Sequence, residues 1–501
     1  MTLLSRVLGL VRDVVVAQYF GARADAFFVA FKIPNFLRRL FAEGAFSVAF
    51  VPVLTEYKTQ RSVDDVKLLI ASVSGVLGLM LFLVTVIALL LAPWLPYVFA
   101  PGFASEMGGD SAKFALTGDL LRITFPYLLF ISLTAFAGSI LNAYGRFAIP
   151  AFTPVLLNVC LIFSTLVMTS WFVEPLYALA WGVFMAGAIQ FLFQLPFIAR
   201  LGLLVRPTYQ PKQEGVSRIL KLMVPALFGV SVSQINLLLD TLLASFLEPG
   251  SVSWLYYSDR LNNLPLGIFA IAIGVVILPA LSKRHAEDNP DHFAQTLDWA
   301  TRMIFLLALP AALALVVLAT PLMSTIFFHG EITEYDIGKM TLSLQAYGTG
   351  LFAFMLIKVL APGYYARQDT KTPVKIGIQA MVVNMVLNLA LVGPFQHAGL
   401  ALATSLSAFF NAYMLYRGLK ATGHYKAQPG WLLFVPKVLI ANAALFAVMY
   451  FMMGDVQQWL IWGTWERIGW MSAIVGAGIA VYFVTLIIFG LRPRHLKGAR
   501  F

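Results

Sequence analysis

The chain is poor in charge and nearly devoid of cysteine. Of its 501 residues only 12% are Asp, Glu, Lys or Arg, 60% are hydrophobic, and Cys160 is the single cysteine. One cysteine excludes an intramolecular disulfide and leaves the redox compartment unread. The histidines (His285, His292, His329, His397, His424 and His495) fall in loops or at predicted helix ends, without metal-ligand spacing. No Ser-His-Asp set, paired extracytoplasmic carboxylates or Gly-rich phosphate loop can be assembled, which argues against the common enzyme classes. No loop is long enough to be an independent soluble domain. The N-terminus does not read as a cleavable signal, because Arg6, Arg12 and Asp13 interrupt any apolar h-region.

What the chain has instead is long apolar runs, with a mean hydropathy of +0.82, which places it among all-α polytopic membrane proteins. Spans of about 20 residues are predicted near 1–20, 25–56, 68–99, 117–142, 147–171, 175–199, 218–247, 251–282, 300–328, 337–365, 372–393, 398–420, 432–454 and 468–490, about fourteen helices. Stretch 25–56 reads as one long, tilted helix. The net charge of +11 does not imply nucleic-acid binding, because Lys and Arg concentrate in alternate short loops, from Lys58, Arg61 and Lys67 to the tail Arg492, Arg494, Lys497 and Arg500. The loops between them are poor in Lys and Arg and often acidic. Under the positive-inside rule both termini are then cytoplasmic.

An internal repeat divides the chain. Val51-Pro52-Val53-Leu54-Thr55 recurs as Leu278-Pro279-Ala280-Leu281-Ser282, Pro93, Phe99 and Gly102 match Pro321, Phe327 and Gly330, and Ala178-Leu179-Ala180-Trp181 parallels Gly399-Leu400-Ala401-Leu402. The offset stays near 221–228. The predicted organisation is therefore two pseudo-symmetric six-helix lobes, 1–200 and 218–420, plus two C-terminal helices within 432–491. Duplicated halves around a midplane site are the usual construction of an alternating-access transporter.

Against this background the charges inside apolar runs stand out. In 24–58, Asp25, Lys32 and Arg39 recur seven apart, with Asn35, Arg38 and Glu43 close to the same stripe. Ser5, Arg6, Arg12 and Asp13 lie in the preceding run, and Asp259 and Arg260 sit among aromatics in SVSWLYYSDRL. Charge at bilayer depth costs roughly 2.5–3.5 kcal/mol per residue on insertion scales, so such residues normally face a wet cavity or a bundle interior. Arg suits a phosphate, because its charge is permanent and its donors are forked. Interhelical ion pairs that only fix packing are the alternative. A second set, Asp240, Asn384, Asn388 and Thr404, offers hard oxygen donors to a Na+ or H+ coupling site. For that set, interhelical hydrogen bonding is the alternative.

RVLGLVRD, GARADAFFVAFKIPNFLRRLFAEGAFSVAFVPVLTEYK, SVSWLYYSDRL, KVLAPGYYARQDTKTPVKI and HAGLALATSLSAFFNA resemble the MurJ (MviN) family. Its members are bacterial lipid II flippases of the multidrug/oligosaccharidyl-lipid/polysaccharide exporter superfamily. The resemblance runs from the first residues past the last predicted helix. It implies a V-shaped pair of lobes around a cationic cavity in the bacterial inner membrane, with helices 13 and 14 forming a groove for the polyprenyl tail. Arg6, Arg12, Asp25 and Arg260 would be the required charges, with Ser5, Asn35, Arg38 and Glu43 lining the same cavity. Asp240, Asn384, Asn388 and Thr404 match the family's sodium site. No organic cofactor is implied; the partners are lipid II, membrane lipids and, as a further candidate, the cell wall synthesis machinery. The competing readings are an exporter of another polyprenyl-linked oligosaccharide, a cation-coupled multidrug antiporter, and a membrane enzyme acting on polyprenyl-linked sugars. An Arg-lined cavity disfavours cationic drugs, and such an enzyme would need a large extracytoplasmic loop with catalytic acids.

Overall fold

A computed structural model describes residues 2–39, 46–104, 111–287 and 289–491, and among them no strand occurs. Packing divides the chain into Met1–Ser253 and Trp254–Phe501.

The first unit contains α1 (Thr2–Phe20), α2 (Asp25–Leu37), α3 (Ser47–Gln60), α4 (Val63–Leu91), α5 (Leu95–Phe99), α6 (Ser111–Thr124), α7 (Tyr127–Ala143), α8 (Ala148–Phe163), α9 (Leu176–Arg200) and α10 (Glu214–Ala244). In the stretch expected to form one long helix, α2 and α3 supply both ends; Glu43 lies outside the described residues. Helix α4 shows how these runs are used. Leu69, Ile70, Leu77 and Leu81 are buried, whereas Phe82, Leu83, Ile87 and Leu90 are exposed, as on a helix whose outer side meets lipid. A reciprocal cap starts it: Ser62 Oγ accepts from the Asp65 amide, and Asp65 Oδ2 from the Ser62 amide. Ring contacts among Phe46, Phe50 and Phe136 join α3 to α7.

Beyond α9, residues 203–210 lack regular structure and lie along α4, where the Thr208 amide donates to the Ala71 carbonyl at 2.9 Å. Gly75 permits this approach, because a Cβ there would stand 2.2 Å from the Thr208 carbonyl oxygen. Gly75→Ala should push the segment off α4 and cost about 1–3 kcal/mol. A lowered melting temperature of the purified protein is the expected reading; an unchanged one would refute the close-packing role. Two ion pairs, Arg61–Glu214 at 2.9 Å and Arg218–Glu56 at 2.8 Å, tie the start of α10 to α3 and the α3–α4 turn.

The second unit contains α11 (Ser251–Pro265, its first three residues in the first unit), α12 (Ile271–Ala286), α13 (Pro290–Val317), α14 (Ala319–Phe327), α15 (Glu334–Tyr365), α16 (Lys371–Ala421), α17 (Trp431–Met453), α18 (Gln458–Ile461) and α19 (Thr464–Ile488). The two predicted spans 372–393 and 398–420 are the two arms of α16. They meet at Gln396, whose φ of 49° and ψ of −131° interrupt the helix two residues after Pro394, a residue with no amide hydrogen to continue the ladder. Ten helical stretches among the described residues are long and apolar enough to cross a membrane.

The connection from α16 to α17 is fastened to α13. Asp298, 2% exposed, accepts on Oδ1 from Tyr425 Oη (3.1 Å), Trp431 Nε1 (2.7 Å) and the Gln428 amide (3.3 Å). Its Oδ2 accepts from Arg302 Nε at 2.8 Å, and Arg302 Nη2 donates on to the Gln428 and Pro429 carbonyls. Burial, then the adjoining Asp298 carboxylate, pushes the Tyr425 phenol well above its ordinary range. Further along, α17 and α19 pack on α13 through Leu306, Val438, Leu445, Met449, Ile474 and Tyr482.

Candidate functional site

Within the first unit the sequence-predicted charges form three groups. On α1, Arg12 and Asp13 are both buried. Arg12 donates from Nε (2.9 Å) and Nη2 (2.6 Å) to Asp13 Oδ1, and from Nη1 to Asn158 Oδ1 on α8 at 3.0 Å. Asn158 in turn donates from Nδ2 to the Ser5 carbonyl at 3.0 Å. The guanidinium is thus held in one plane by a carboxylate and an amide, a preorganised donor fork. Ser5 and Arg6 are half-buried one to two turns before it.

The second group centres on Asp25, 1% exposed at the start of α2. Its Oδ1 accepts from the Ser253 amide (2.7 Å) and Ser253 Oγ (2.6 Å); its Oδ2 accepts from the Gly250 amide (2.7 Å) and Lys113 Nζ (2.6 Å). The carboxylate therefore caps the first turn of α11, where amides have no helical partner, while Lys113 of α6 balances its charge. Lys113 also lies 4.4 Å from the centroid of the Phe103 ring. In this conformation Asp25 is committed to protein donors.

In the third group Lys32 hydrogen-bonds Thr241 on α10, next to Asp240. Arg38 Nε donates to Asn35 Oδ1 at 3.2 Å, both side chains being half-buried.

In the second unit Asp259 and Arg260 are half-buried on α11. Asn384, Asn388 and Thr404 come together across the two arms of α16. Asn388 Nδ2 donates to Asn384 Oδ1 at 3.0 Å, and Asn384 Nδ2 to Thr404 Oγ1 at 3.3 Å. Asp240 belongs to the other unit. The three neutral side chains offer amide and hydroxyl oxygens as acceptors, with Thr404 Oγ1 donating its own hydrogen to the Leu400 carbonyl at 3.0 Å, a set suited to a hard monovalent cation or to plain interhelical bonding. No group of three or more His, Cys, Asp or Glu is placed to hold a metal among the described residues.

Lys113, Asn158, Thr241 and Gly250 escape the sequence reading. Asn158 left a signal, a lone amide in the apolar run AFTPVLLNVCLIF; Lys113 sits in a segment polar enough to pass as loop.

The model of the family described as lipid II flippase MurJ matches residues 16–466. A probable lipid II flippase MurJ of Vibrio cholerae serotype O1 is 51% identical over 504 residues, covering 100% of this chain and 96% of its own. One from Haemophilus influenzae is 49% identical, with 99% of each covered. The lipid II flippase MurJ of Burkholderia cenocepacia is 42% identical over 99% of this chain and 97% of its own. Among solved structures, a lipid II flippase MurJ in an inward closed conformation superposes with a TM-score of 0.81 at 27% identity over 97% of both chains. A multidrug resistance MATE family transporter in an inward-facing conformation gives 0.69 at 14% identity over 84% of this chain and 94% of its own, a likeness of fold alone.

Proposed function

The chain belongs to the lipid II flippase MurJ family, and from that premise we propose that it moves lipid II from the cytoplasmic to the outer leaflet of the bacterial inner membrane by alternating access. It is a multi-pass membrane transporter and not an enzyme. The observation that carries the reading is the buried Arg12 fork, fixed by Asp13 and Asn158 in an apolar helix. A guanidinium held this way keeps a permanent charge and forked donors beside a wet path, the chemistry that a diphosphate needs.

Lipid II has a diphosphate, a disaccharide and a peptide, none of which crosses hydrocarbon unaided. Arg6, Arg12, Arg38 and Arg260 are the proposed diphosphate ligands. Asp13 and Asn158 keep Arg12 aimed, and an incoming phosphate competes with Asp13 for its donors. The exposed apolar residues of the last helices, such as Leu432 and Phe451, supply a surface for the polyprenyl tail. The loop-charge pattern supports cytoplasmic termini. Oxygens of Asn384, Asn388, Thr404 and Asp240 are the proposed donors for a coupling Na+, with H+ as the alternative.

The test is outer-leaflet lipid II in cells depleted of their own flippase and supplied with this protein. Restored exposure is expected; none, with the protein in the membrane, would sink the reading in favour of another lipid-linked oligosaccharide. Replacing Na+ by choline in the same assay separates sodium from proton coupling.

A further inference from the structure

The helix that carries Arg260 is fastened near its start by a set of side chains that the substrate reading does not use. Trp254, 1% exposed, donates from its indole Nε1 to Asp336 Oδ1 at 2.7 Å. The other oxygen of Asp336 accepts from the Thr333 amide (2.9 Å) and Thr333 Oγ1 (2.7 Å), the reciprocal cap that begins α15. One carboxylate thus serves two helices.

His397, buried beside the break in α16, packs on the same indole with ring centroids 5.1 Å apart. Its Nε2 lies 3.0 Å from the Lys339 carbonyl oxygen; since that oxygen can only accept, Nε2 carries the hydrogen. Lys339 Nζ stands 5.6 Å from the indole centroid, and the Tyr335 ring meets the indole edge-on at 6.0 Å. One turn along α11, Ser258 Oγ lies 2.7 Å from the Trp254 carbonyl oxygen of its own helix and 2.9 Å from the Met340 carbonyl oxygen of α15, with one hydrogen shared between the two acceptors. Residues 254 and 258 are four apart, so they share the face that meets α15. Arg260, two residues past Ser258, points off that face by roughly 120° from Trp254 at about 100° per residue. The Trp254 and Ser258 contacts thus set the register of α11 against α15 within the two turns before Arg260.

We propose that Trp254, Asp336 and His397 are positioning residues for Arg260: they clamp α11 in the one rotation that presents the guanidinium to its anion. The proposal rests on Arg260 being a diphosphate ligand. Trp254→Phe keeps a ring in the clamp and deletes the donor to Asp336. Thr333→Ala breaks the α15 cap but leaves the Trp254–Asp336 bond, and so reports what lost stability alone does.

The experiment measures the half-saturating lipid II concentration and the maximal rate for purified protein in vesicles, with melting temperatures alongside. Trp254→Phe should raise half-saturation at least threefold with the maximal rate within twofold of wild type, while Thr333→Ala lowers the melting temperature without that shift. Equal shifts in both variants, or none in Trp254→Phe, would overturn the clamp. Should Trp254→Phe not fold, His397→Phe, which keeps the ring contact and loses the bond to Lys339, decides on the same criterion, with His397→Gln expected to rescue through its own amide donor. Wild-type protein that neither binds nor moves lipid II would instead overturn the substrate reading, leaving the geometry of the clamp untouched.

Discussion

Asp25→Ala is expected to cost the first unit about 3–5 kcal/mol, the usual penalty for removing one partner of a buried ion pair. The four donors that meet on this carboxylate, from Lys113, the Gly250 and Ser253 amides and the Ser253 hydroxyl, would lose their acceptor together. Asp25→Asn should be intermediate, since it keeps one acceptor oxygen but turns an NH2 group toward at least one donor. Lys113→Ala should cost less than Asp25→Ala, because the Gly250 and Ser253 donors remain satisfied. The measurement is melting temperature and membrane abundance of each variant, with lipid II exposure beside them. If Asp25→Asn melts like wild type yet fails to transport, Asp25 acts on the substrate and the anchoring role is wrong.

Arg260→Ala is expected to reduce outer-leaflet lipid II to the uncomplemented background with the protein still inserted. Truncating one partner of a charged, hydrogen-bonded contact costs about 2–5 kcal/mol, which is at least roughly thirtyfold in affinity. Arg260→Lys separates charge from geometry: a single ammonium retains the attraction and loses the bidentate fork, so partial activity is expected. Full activity in the alanine variant would remove Arg260 from the substrate pathway.

The all-helical, many-span character was legible because a membrane span must be long, apolar and internally hydrogen-bonded. The run 372–420 could be divided into two spans from Gly393-Pro394 and the polar residues after it, and the backbone breaks at Gln396. The Arg12–Asp13 pair was also within reach, since the two are adjacent in sequence. What could not be read is which distant groups meet a charge. Asp25 finds its partners at Lys113, Gly250 and Ser253, and Arg12 finds Asn158, through packing that leaves no period in the sequence. The sequence pattern assigns 218–247 to the second lobe, whereas contacts place α10 with α2, α3 and α4 in the first unit; a repeat in sequence does not dictate which neighbours a helix packs on.

The fastening of residues 422–430 to α13 sets what the last helices can do. Five hydrogen bonds join Tyr425, Gln428, Pro429 and Trp431 to Asp298 and Arg302, so the connection to α17 is a short strut held along its length. The α17–α19 hairpin is then a passenger on α13, and a hydrocarbon chain resting on its outer side would be towed by that helix through every displacement it makes.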